Sequence, residues 1–270
     1  MSEPKVMGII NMTPDSFFER SRHSSALSAM RSIEQMVKDG ASIIDIGACS
    51  TRPGSKSPGV DEEWIALKPI LELLAIEMPN LSLSIDTFRS EIVERCADTF
   101  GDIIVNDISA GEDDQNMLAC VAKHRFTYIA MHKRGTPETM QQNCIYTSLI
   151  EDIHDYFVEL LKKAERADIK RVIIDPGFGF SKTVDQNYTL LAGLKRLQFY
   201  YKGEEAPILA GLSRKSMIYR LLGITPEESL PATFALNLQA LINGASIIRV
   251  HDVKEGDQAV RIFLKMRESL

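Results

Sequence analysis

The sequence predicts an α/β protein of the (β/α)8 (TIM) barrel class, folded as a single domain over residues 1–270. Three observations predict this class. Short apolar segments of strand length alternate eight times with longer segments, most of which have helical periodicity, and no linker or low-complexity segment interrupts the alternation. The chain length of 270 residues also fits such a barrel, which usually needs about 250 residues.

The strand candidates are almost entirely apolar and do not alternate between apolar and polar residues. This pattern is expected when other elements cover both faces of a sheet. A doubly wound open sheet is the alternative, but it rarely needs eight βα units, and no GxGxxG motif follows the first strand. In chain order, the candidates are KVMGII, ASIIDIG, LSLSID, DIIVND, FTYIAM, RVIID, PILAGL and ASIIRV.

The segment NMTPDSFFERSRH, residues 11–23, is predicted to be a loop, because its TPDS core has ordinary turn chemistry. Two phenylalanines and two arginines in an exposed loop need a reason, such as holding a ligand. The first helix follows, with Met30, Ile33 and Val37 on one face and Gly40 as its C-cap. The same periodicity predicts helices in DEEWIALKPILELLAIEMP, SEIVERCADTFG, QNMLACVAKH, LIEDIHDYFVELLKKAERAD and NYTLLAGLKRLQFYY.

The composition predicts a soluble, cytoplasmic protein. A net charge of −6 argues against a nucleic-acid partner, which would require a basic surface, so local charges would have to attract any anionic ligand. The four cysteines have no CxxC pair and no Cys/His metal spacing, which is typical of reduced thiols. The N-terminus lacks a signal-peptide pattern, and no apolar run reaches membrane length, so no membrane partner is expected.

Polar residues concentrate at one end of the predicted strands. In a barrel of this class the active site lies at the carboxyl ends of the strands. The first strand ends at Asn11, and the opposite ends of the strands, such as KDGAS and RADIK, carry only turn and cap residues. This asymmetry predicts an enzyme. The other seven carboxyl ends read DIGACSTRPGS, SIDTFRS, VNDISAG, MHKRGTP, DPGFGFSK, GLSRKS and RVHD.

Asp86, Asn106 and Asp175 each lie at the end of an apolar strand. Together these side chains could hydrogen-bond the edge of a flat, nitrogen-rich heterocycle, which offers paired donors and acceptors. One such aspartate alone would more simply cap the following helix, but three polar groups converging on one mouth favour a pocket. No histidine cluster supports a transition metal.

Basic residues near the last two strands predict an anion site. The SRKS segment, residues 213–216, lies at a strand-to-helix junction, where backbone N–H groups, Arg214 and Lys215 would favour an anion. Arg249 and His251 are two residues apart, so they project to the same side of the eighth strand, beside Asn11 of the first strand. Together these groups suit a phosphate or pyrophosphate. A rim salt bridge to Asp252 or Asp45 is the simpler alternative.

Two further segments are weaker signals. STRPG, residues 50–54, is a rigid turn with a hydroxyl and an arginine, and the glycines of GFGF allow a ligand to approach the backbone. Phe178 or Phe180 could lie against a ring, but packing explains either equally well. Cys49 has no histidine partner placed by the sequence, so we interpret it as structural.

Taken together, these segments resemble the dihydropteroate synthase family. The matching motifs run in order from Met7 to Val253, so the resemblance covers nearly the whole chain. It implies a TIM barrel, usually a homodimer, that joins 6-hydroxymethyl-7,8-dihydropterin diphosphate to p-aminobenzoate and releases pyrophosphate with Mg2+ assistance. The matches are MGIINMTPDSF, GASIIDIGACSTRPGS, SIDT, VNDIS, MHKRGTPETMQ, DPGFGF, GLSRKS and RVHDV.

The resemblance also implies roles for individual residues. Those implied to bind the pterin are Asp86, Asn106, Ile108, Met131, Asp175, Gly211, Lys215 and Arg249. Those implied to bind the diphosphate are Asn11, Arg249 and His251, with Asn11 also the metal ligand. Those implied to frame the p-aminobenzoate site are Phe17, Thr51, Arg52, Pro53, Phe180, Lys215 and Ser216. The catalytic set implied in this way is Asp15, Asp175, Lys215 and Arg249.

The family expectation is an S_N1-like reaction. Pyrophosphate leaves with help from cationic groups and Mg2+, a carboxylate (Asp175 or Asp15) stabilises the pterin cation, and the arylamine attacks. Two features depart from the family pattern: Cys49 stands where a glutamate is common, and FERSRH replaces a short Ser-Asp-Gly-Gly run. Glu19 could replace the aspartate of that run.

Two other functions remain as alternatives. A pterin-binding methyltransferase-like barrel could share the Asp and Asn pocket, but it would have little need for STRPG, SRKS or RVH. A non-catalytic pterin-binding paralogue is supported only by Cys49 and the altered first loop. If the chain is a synthase, sulfonamides should compete with p-aminobenzoate.

Overall fold

The computed structural model describes residues 3–12, 19–49, 58–136 and 139–269. Within these ranges the strands form two sheets. The eight strands of the larger sheet are β1 (Lys5–Asn11), β2 (Ile43–Gly47), β3 (Leu83–Asp86), β4 (Ile104–Asp107), β5 (Thr127–Met131), β6 (Arg171–Asp175), β9 (Leu209–Ala210) and β10 (Ile247–Val250). The smaller sheet is an antiparallel hairpin of β7 (Tyr200–Tyr201) and β8 (Glu204–Glu205).

The larger sheet curls into a barrel. Its strands are all parallel and lie in the order β6, β5, β4, β3, β2, β1, β10, β9. A parallel bridge between Ile174 of β6 and Ile208, the residue before β9, joins the two ends of this sheet. The barrel is therefore nearly closed, and the predicted fold class is confirmed.

Helices pack around the outside of the barrel and follow the strands along the chain. The helix that follows β6, for example, begins after Thr183. The Oγ1 atom of Thr183 accepts a hydrogen bond from Gln186 N at 3.2 Å in a capping box. None of the helices in the described ranges is long and apolar enough to cross a membrane. The helices are α1 (Glu19–Lys38), α2 (Val60–Glu77), α3 (Ser90–Phe100), α4 (Met117–His124), α5 (Leu149–Arg166), α6 (Val184–Ala192), α7 (Ser216–Leu222), α8 (Leu230–Ile242) and α9 (Val253–Glu268).

The helix predicted for NYTLLAGLKRLQFYY is wrong in its second half. Helix α6 ends at Ala192, and only a single 3-10 turn, Leu194–Arg196, follows it. A Cβ on Gly193, between the two, would lie 2.7 Å from Ile150 Cδ1. The two tyrosines belong to the β7–β8 hairpin, whose turn residues Lys202 and Gly203 both have positive φ angles, 49° and 87°. Gly203 was the turn signal in the sequence, because glycine adopts a positive φ at no steric cost.

The predicted loop of residues 11–23 is also shorter than expected. Asn11 is still part of β1, and α1 already begins at Glu19, so the FERSRH segment is helical from that residue onward. Residues 13–18 lie outside the described ranges, and with them the predicted site residues Asp15 and Phe17.

The barrel interior is built in layers because side chains of a strand alternate between its two faces. Its amino-terminal layer is an apolar cluster of Met7, Ile43, Ile129, Ile173, Leu209 and Ile247. Two residues further along each strand, the inward position is occupied by polar side chains on several strands, including Asp45, Asn106, Asp175 and Arg249. The apolar layer therefore forms a base on which a polar layer lies at the carboxyl end of the barrel.

Candidate active site

The centre of the polar layer is an ion-pair network that joins four strands. Arg249 of β10 donates from Nε to Asp45 Oδ2 of β2 at 2.7 Å, and from Nη2 to Asp86 Oδ2 of β3 at 2.8 Å. Asn106 of β4 donates from Nδ2 to the same oxygen of Asp45 at 3.1 Å. The strand ends predicted that Asp86 and Asn106 lie close together, and the structure adds Arg249, which the sequence assigned to the anion site, to the same network.

Asp45 is the residue of this network that the sequence interpretation missed as a site residue. It appeared there only as a possible salt-bridge partner of the Arg249 and His251 pair, and the structure contains that salt bridge. Asp45 is 0% exposed, and its second oxygen, Oδ1, has no hydrogen-bond partner among the described residues. Its position two residues after the inward-facing Ile43 was the available signal. Asp45 acts as a positioning residue, because it holds the Arg249 guanidinium in place.

Burial shifts the ionisation of the groups in this layer. It raises the pKa of Asp86 to about 7, although the positive charge of Arg249 acts in the opposite direction. It also raises the pKa of Asp175, with the nearby Lys215 opposing that effect. Burial lowers the pKa of Lys215 to about 8, against the attraction of Asp175. Burial therefore moves the pKa of each of these three groups away from its usual value, which is common at functional sites.

Lys215 lies over the loop that follows β6. Its Nζ donates to the Phe178 carbonyl oxygen and lies 4.8 Å from the centre of the Phe180 ring. Gly179 leaves space for this side chain, because a Cβ on Gly179 would lie 3.0 Å from Lys215 Cδ. Lys215 therefore faces Asp175 and the GFGF loop.

Arg214, which the sequence interpretation placed in the anion site at SRKS, pairs with an acidic residue. The Arg214 guanidinium makes a two-point ion pair with Asp252, with distances of 2.9 Å from Nε and 2.7 Å from Nη2. Its backbone N–H donates to Thr233 Oγ1. Arg214 therefore joins α7 and its loop to the start of α9, and its charge is shared with Asp252.

His251 is held by Ser213. The Ser213 Oγ accepts a hydrogen bond from the backbone N–H of His251 at 3.2 Å and lies 2.9 Å from Nδ1. In the tautomer in which this hydroxyl donates to Nδ1, the ring proton of His251 is on Nε2. Desolvation and the neighbouring Arg249 lower the pKa of His251 to about 4, so the ring is neutral at physiological pH.

Asn11 lies further along the barrel than the sequence implied. In the β1–β10 ladder Arg249 pairs with Met7, whereas Asn11 pairs with Gly47 of β2. Asn11 is therefore four residues closer to the carboxyl end of β1 than the partner of Arg249, and it is exposed. The expectation that Arg249 lies directly beside Asn11 is corrected in this respect.

A buried lysine fastens the loop after β6, and the sequence interpretation did not identify it. Lys182 Nζ contacts His132 Nδ1 at 3.1 Å, the Gly177 carbonyl oxygen at 3.0 Å and the Phe180 carbonyl oxygen at 3.0 Å. Burial lowers the pKa of Lys182 to about 7 and that of His132 to about 2. Because Gly177 N donates to Asp175 Oδ1 at 2.8 Å, this loop also orients the Asp175 carboxylate.

The structure describes four of the remaining predicted site residues and leaves three outside its described ranges. Ile108 and Met131 are buried, and Met131 pairs with Asp175 in the β5–β6 ladder. Gly211 follows β9, and Ser216 is the first residue of α7. Thr51, Arg52 and Pro53 lie outside the described ranges.

Among the described residues, one cluster of side chains could hold a metal ion, and it lies outside the barrel. Glu94 of α3 and Cys120 and His124 of α4 have ligand atoms within 4.8 Å of one another. The four-residue spacing of Cys120 and His124 was overlooked in the sequence. Both oxygens of Glu94 already accept from Lys123 at 3.0 Å, and one lies 2.7 Å from His124 Nε2. These helices pack on the outer face of the sheet, so the group is separate from the polar layer.

Comparison with known proteins shows the family of the chain. Residues 7–251 match the sequence family described as pterin binding enzyme. Over 264 residues the chain is 38% identical to the dihydropteroate synthase of Escherichia coli strain K12, and the match covers 97% of this chain and 91% of that protein. The chain belongs to the dihydropteroate synthase family. Its activity is therefore dihydropteroate synthesis, a transferase reaction of folate synthesis.

Solved dihydropteroate synthases have the same fold. The Xanthomonas albilineans enzyme, determined with 4-aminobenzoic acid, superposes with a TM-score of 0.86 at 37% identity, covering 98% of this chain and 93% of that one. The Burkholderia cenocepacia enzyme, complexed with 7,8-dihydropteroate, gives 0.87 at 35% identity, covering 98% and 92%. These matches favour a dihydropteroate synthase over the methyltransferase-like alternative.

Proposed function

We propose that the polar layer is the substrate site, in which 6-hydroxymethyl-7,8-dihydropterin diphosphate reacts with p-aminobenzoate to give 7,8-dihydropteroate and pyrophosphate. The observation that carries this proposal is the network of Asp45, Asp86, Asn106 and Arg249 in the polar layer, which forms the floor of the proposed site. It offers carboxylate and amide groups to a heterocycle beside a guanidinium for an anion. The ligands of the Xanthomonas and Burkholderia relatives, 4-aminobenzoic acid and 7,8-dihydropteroate, fit the same pair of substrates.

The pterin would lie on this floor. Asp86 and Asp175 accept hydrogen bonds from ring and amino N–H groups, and the Asn106 amide can both donate and accept. Lys215, close to Asp175, donates to a ring acceptor. Apolar contacts to the faces of the ring come from the backbone of Gly211 and from the buried side chains of Ile108 and Met131.

The diphosphate would extend from the floor toward the rim. Arg249 uses Nε and Nη2 for the two aspartates, and within the described residues its Nη1 makes no hydrogen bond. That nitrogen and the Nε2–H of neutral His251 can donate to phosphate oxygens, and Asn11 lies further along β1. Both donors would stabilise the charge that develops on the leaving pyrophosphate.

The reaction would follow an S_N1-like path. The bond between the pterin methylene and the diphosphate oxygen breaks, and its electron pair leaves with pyrophosphate. Asp175 stabilises the resulting cation, with Asp15 as the second candidate. The p-aminobenzoate nitrogen then forms the new C–N bond and loses a proton. Phe180 and Ser216 would contact p-aminobenzoate together with Phe17, Thr51, Arg52 and Pro53, all of which the family resemblance implies.

Mg2+ is proposed as the metal of this reaction, with Asn11 as its protein ligand. Mg2+ prefers oxygen ligands and typically binds through one or two protein groups, substrate phosphates and waters. The exposed amide oxygen of Asn11, at the carboxyl end of β1, suits such a ligand set. The bound ion would neutralise charge on the diphosphate.

The family resemblance further suggests a cytoplasmic homodimer. Two helices expose large apolar side chains. These are Leu221 and Leu222 of α7, and Ile262 and Met266 of α9. Such residues are candidates for a contact between subunits. A mass measurement by light scattering would decide between one and two chains.

The direct test measures pyrophosphate release from purified protein with both substrates and Mg2+. We expect release only when the pterin diphosphate, p-aminobenzoate and protein are all present, and the product should be 7,8-dihydropteroate. If the protein binds the pterin tightly but shows no turnover, the chain is a non-catalytic pterin-binding protein and the proposal is refuted.

A further inference from the structure

Three side chains with metal-ligand chemistry form a cluster between α3 and α4, on the outside of the barrel. Glu94 belongs to α3, Cys120 and His124 belong to α4, and their ligand atoms all lie within 4.8 Å of one another. Cys120 and His124 are four residues apart, so the helix places them on the same face. Cys120 is buried, whereas the side chains of His124 and Glu94 are 22% and 36% exposed. The cluster therefore combines a buried thiol with a side that is open to solvent.

The distances within the cluster suit a zinc ion. Zn2+ binds a cysteine sulfur at about 2.3 Å and a histidine nitrogen or carboxylate oxygen at about 2.0–2.2 Å. In a tetrahedral site these bond lengths place the ligand atoms about 3.3–3.7 Å from one another. His124 Nε2 lies 2.7 Å from Glu94 Oε2, and no separation in the cluster exceeds 4.8 Å. Changes of about 1 Å in these separations would therefore accommodate the ion.

The mixture of donor atoms favours Zn2+ over Mg2+. Sulfur, imidazole nitrogen and carboxylate oxygen are the ligand types that Zn2+ accepts, whereas Mg2+ takes oxygen ligands. The Phe126 ring stacks on the His124 ring, with the ring centres 5.0 Å apart and the planes inclined by 10°. This contact orients the imidazole, as supporting groups do around the ligands of metal sites. The cluster is therefore partly preorganised for the ion.

We propose that Glu94, Cys120 and His124 bind one Zn2+ ion, with a water molecule as the fourth ligand, and that the ion joins α3 to α4. Helix α4 has only eight residues, so its stability depends on packing against its neighbours, to which the ion adds a cross-link. The Cys120 thiol, 3.7 Å from the Ser90 carbonyl oxygen, releases its proton to solvent, because the thiolate is the metal ligand. Neither the proposed reaction nor its Mg2+ takes part in this site.

Lys123 is the cation that competes with Zn2+ for Glu94. Its Nζ lies 3.0 Å from each oxygen of the Glu94 carboxylate, and its side chain is 64% exposed. A lysine exposed to this extent can turn away into solvent when the ion takes the carboxylate. Removing the lysine charge should therefore strengthen Zn2+ binding. A simple hydrogen-bond network among the same residues would give no such gain.

Four variants test the proposal. Cys120→Ser and His124→Gln each remove one ligand, and Lys123→Met removes the competing charge. His154→Gln is the matched control, since His154 also stacks on a phenylalanine, Phe199, with ring centres 5.0 Å apart, and also lies beside a carboxylate. Among the described residues, however, His154 belongs to no cluster of metal-ligand types. His124→Gln changes a partly exposed side chain, so it keeps the proposal testable if Cys120→Ser folds poorly.

The first measurement is calorimetric titration of the reduced, metal-free protein with Zn2+. We expect one ion per chain. Each ligand variant should weaken binding by about 100-fold or more, because losing a group that merely supports a ligand already costs about 10- to 100-fold. Lys123→Met should bind about 1.5- to 5-fold more tightly, the effect of removing one exposed ion pair, and His154→Gln should match the wild type.

Three outcomes of this titration would overturn the proposal. The first is a wild-type protein that binds no Zn2+, and the second is a ligand variant that binds it as tightly as the wild type does. The third is weaker binding in Lys123→Met. A large excess of Mg2+ should leave the titration unchanged, and competition by Mg2+ would place the ion at an oxygen site elsewhere.

The second measurement shows whether the sulfur is a ligand and whether the ion joins the helices. Co2+ in place of Zn2+ should give a thiolate-to-metal charge-transfer absorption that is lost in Cys120→Ser and kept in His154→Gln. At a Zn2+ concentration about 100 times the Kd, the Tm of the wild type should rise by about 5 °C, with no rise in His124→Gln. A cobalt complex without this absorption, or an unchanged wild-type Tm, would refute the proposed site whether or not the protein is an active synthase.

Discussion

At the scale of single residues, the site depends on the ion pairs of the Arg249 guanidinium. Arg249 pairs with Asp45 and Asp86 at once, and both carboxylates face the barrel interior. The alternatives that the sequence left open, an anion site or a salt bridge to Asp45, are therefore compatible. The ion pair uses Nε and Nη2 of the guanidinium, and Nη1, which makes no hydrogen bond within the described residues, is the atom that we propose for the diphosphate.

Arg249→Ala should weaken binding of the pterin diphosphate far more than binding of unphosphorylated 6-hydroxymethyl-7,8-dihydropterin, because only the diphosphate needs the guanidinium edge. The change should also lower the free energy of unfolding by about 3–5 kcal/mol, since it leaves two carboxylates without their cation. Calorimetry with both ligands and denaturant unfolding would measure these effects. Arg249→Lys is the control, because it keeps the charge but not the two-point geometry. Equal losses for both ligands would refute the anion role.

Asp45 also illustrates which residues a sequence can identify. Asp86, Asn106 and Asp175 were found because each ends an apolar strand, where a polar residue is conspicuous. Asp45 lies inside the strand ASIIDIG, where an isolated aspartate looks like a local irregularity. Its importance depends on the partner that the barrel brings to it from 204 positions along the chain. Lys182 was missed for the same reason, because burial and long-range pairing are not visible in local sequence.

At the scale of secondary-structure elements, alternation and periodicity predicted the barrel strands and most helices. They did not predict the end of α6 or the β7–β8 hairpin. Apolar residues in LKRLQFYY match helical spacing, but Gly193 packs against Ile150, and Lys202 and Gly203 form a turn with positive φ angles. Tertiary packing and turn geometry overrode a pattern that two kinds of structure can share.

The loop after β6 gives a prediction at this scale. Lys182 has a folded-state pKa of about 7, below the ordinary 10.5, so between these values the unfolded chain binds more protons than the folded one. The free energy of unfolding of the wild type should therefore rise with pH from about 7 to 10 relative to that of Lys182→Met. Urea unfolding at a series of pH values would measure the difference. Lys162→Met, which removes an exposed lysine of α5, should show no such trend, and a flat difference for Lys182→Met would contradict the prediction.

At the scale of the whole molecule, the residues that stabilise the barrel interior and the residues proposed for catalysis lie in different layers along the barrel axis. The amino-terminal interior layer is apolar and fully packed, whereas the next layer contains the ion pairs and the groups with shifted pKa values. Each layer is assembled from strands that are far apart in sequence, so the register of the whole sheet is needed to align it. This division is typical of barrels whose active sites lie at the carboxyl ends of the strands.

Two substitutions, one in each layer, should therefore affect different properties: the one in the apolar layer should lower stability, and the one in the polar layer should lower activity. Ile129→Ala creates a cavity in the apolar layer and should lower the free energy of unfolding by about 2–5 kcal/mol, with both KM values unchanged in the folded protein. Asp86→Asn keeps the shape of the side chain and leaves Arg249 paired with Asp45, so stability should change little. It removes a charged hydrogen bond to the pterin, worth about 1.5–3 kcal/mol, which corresponds to a loss of about 10- to 100-fold in kcat/KM. Denaturant unfolding and steady-state kinetics on both variants would measure the two effects. If Asp86→Asn lost stability but retained kcat/KM, Asp86 would belong to the structural layer and the assignment of the pterin floor would be wrong.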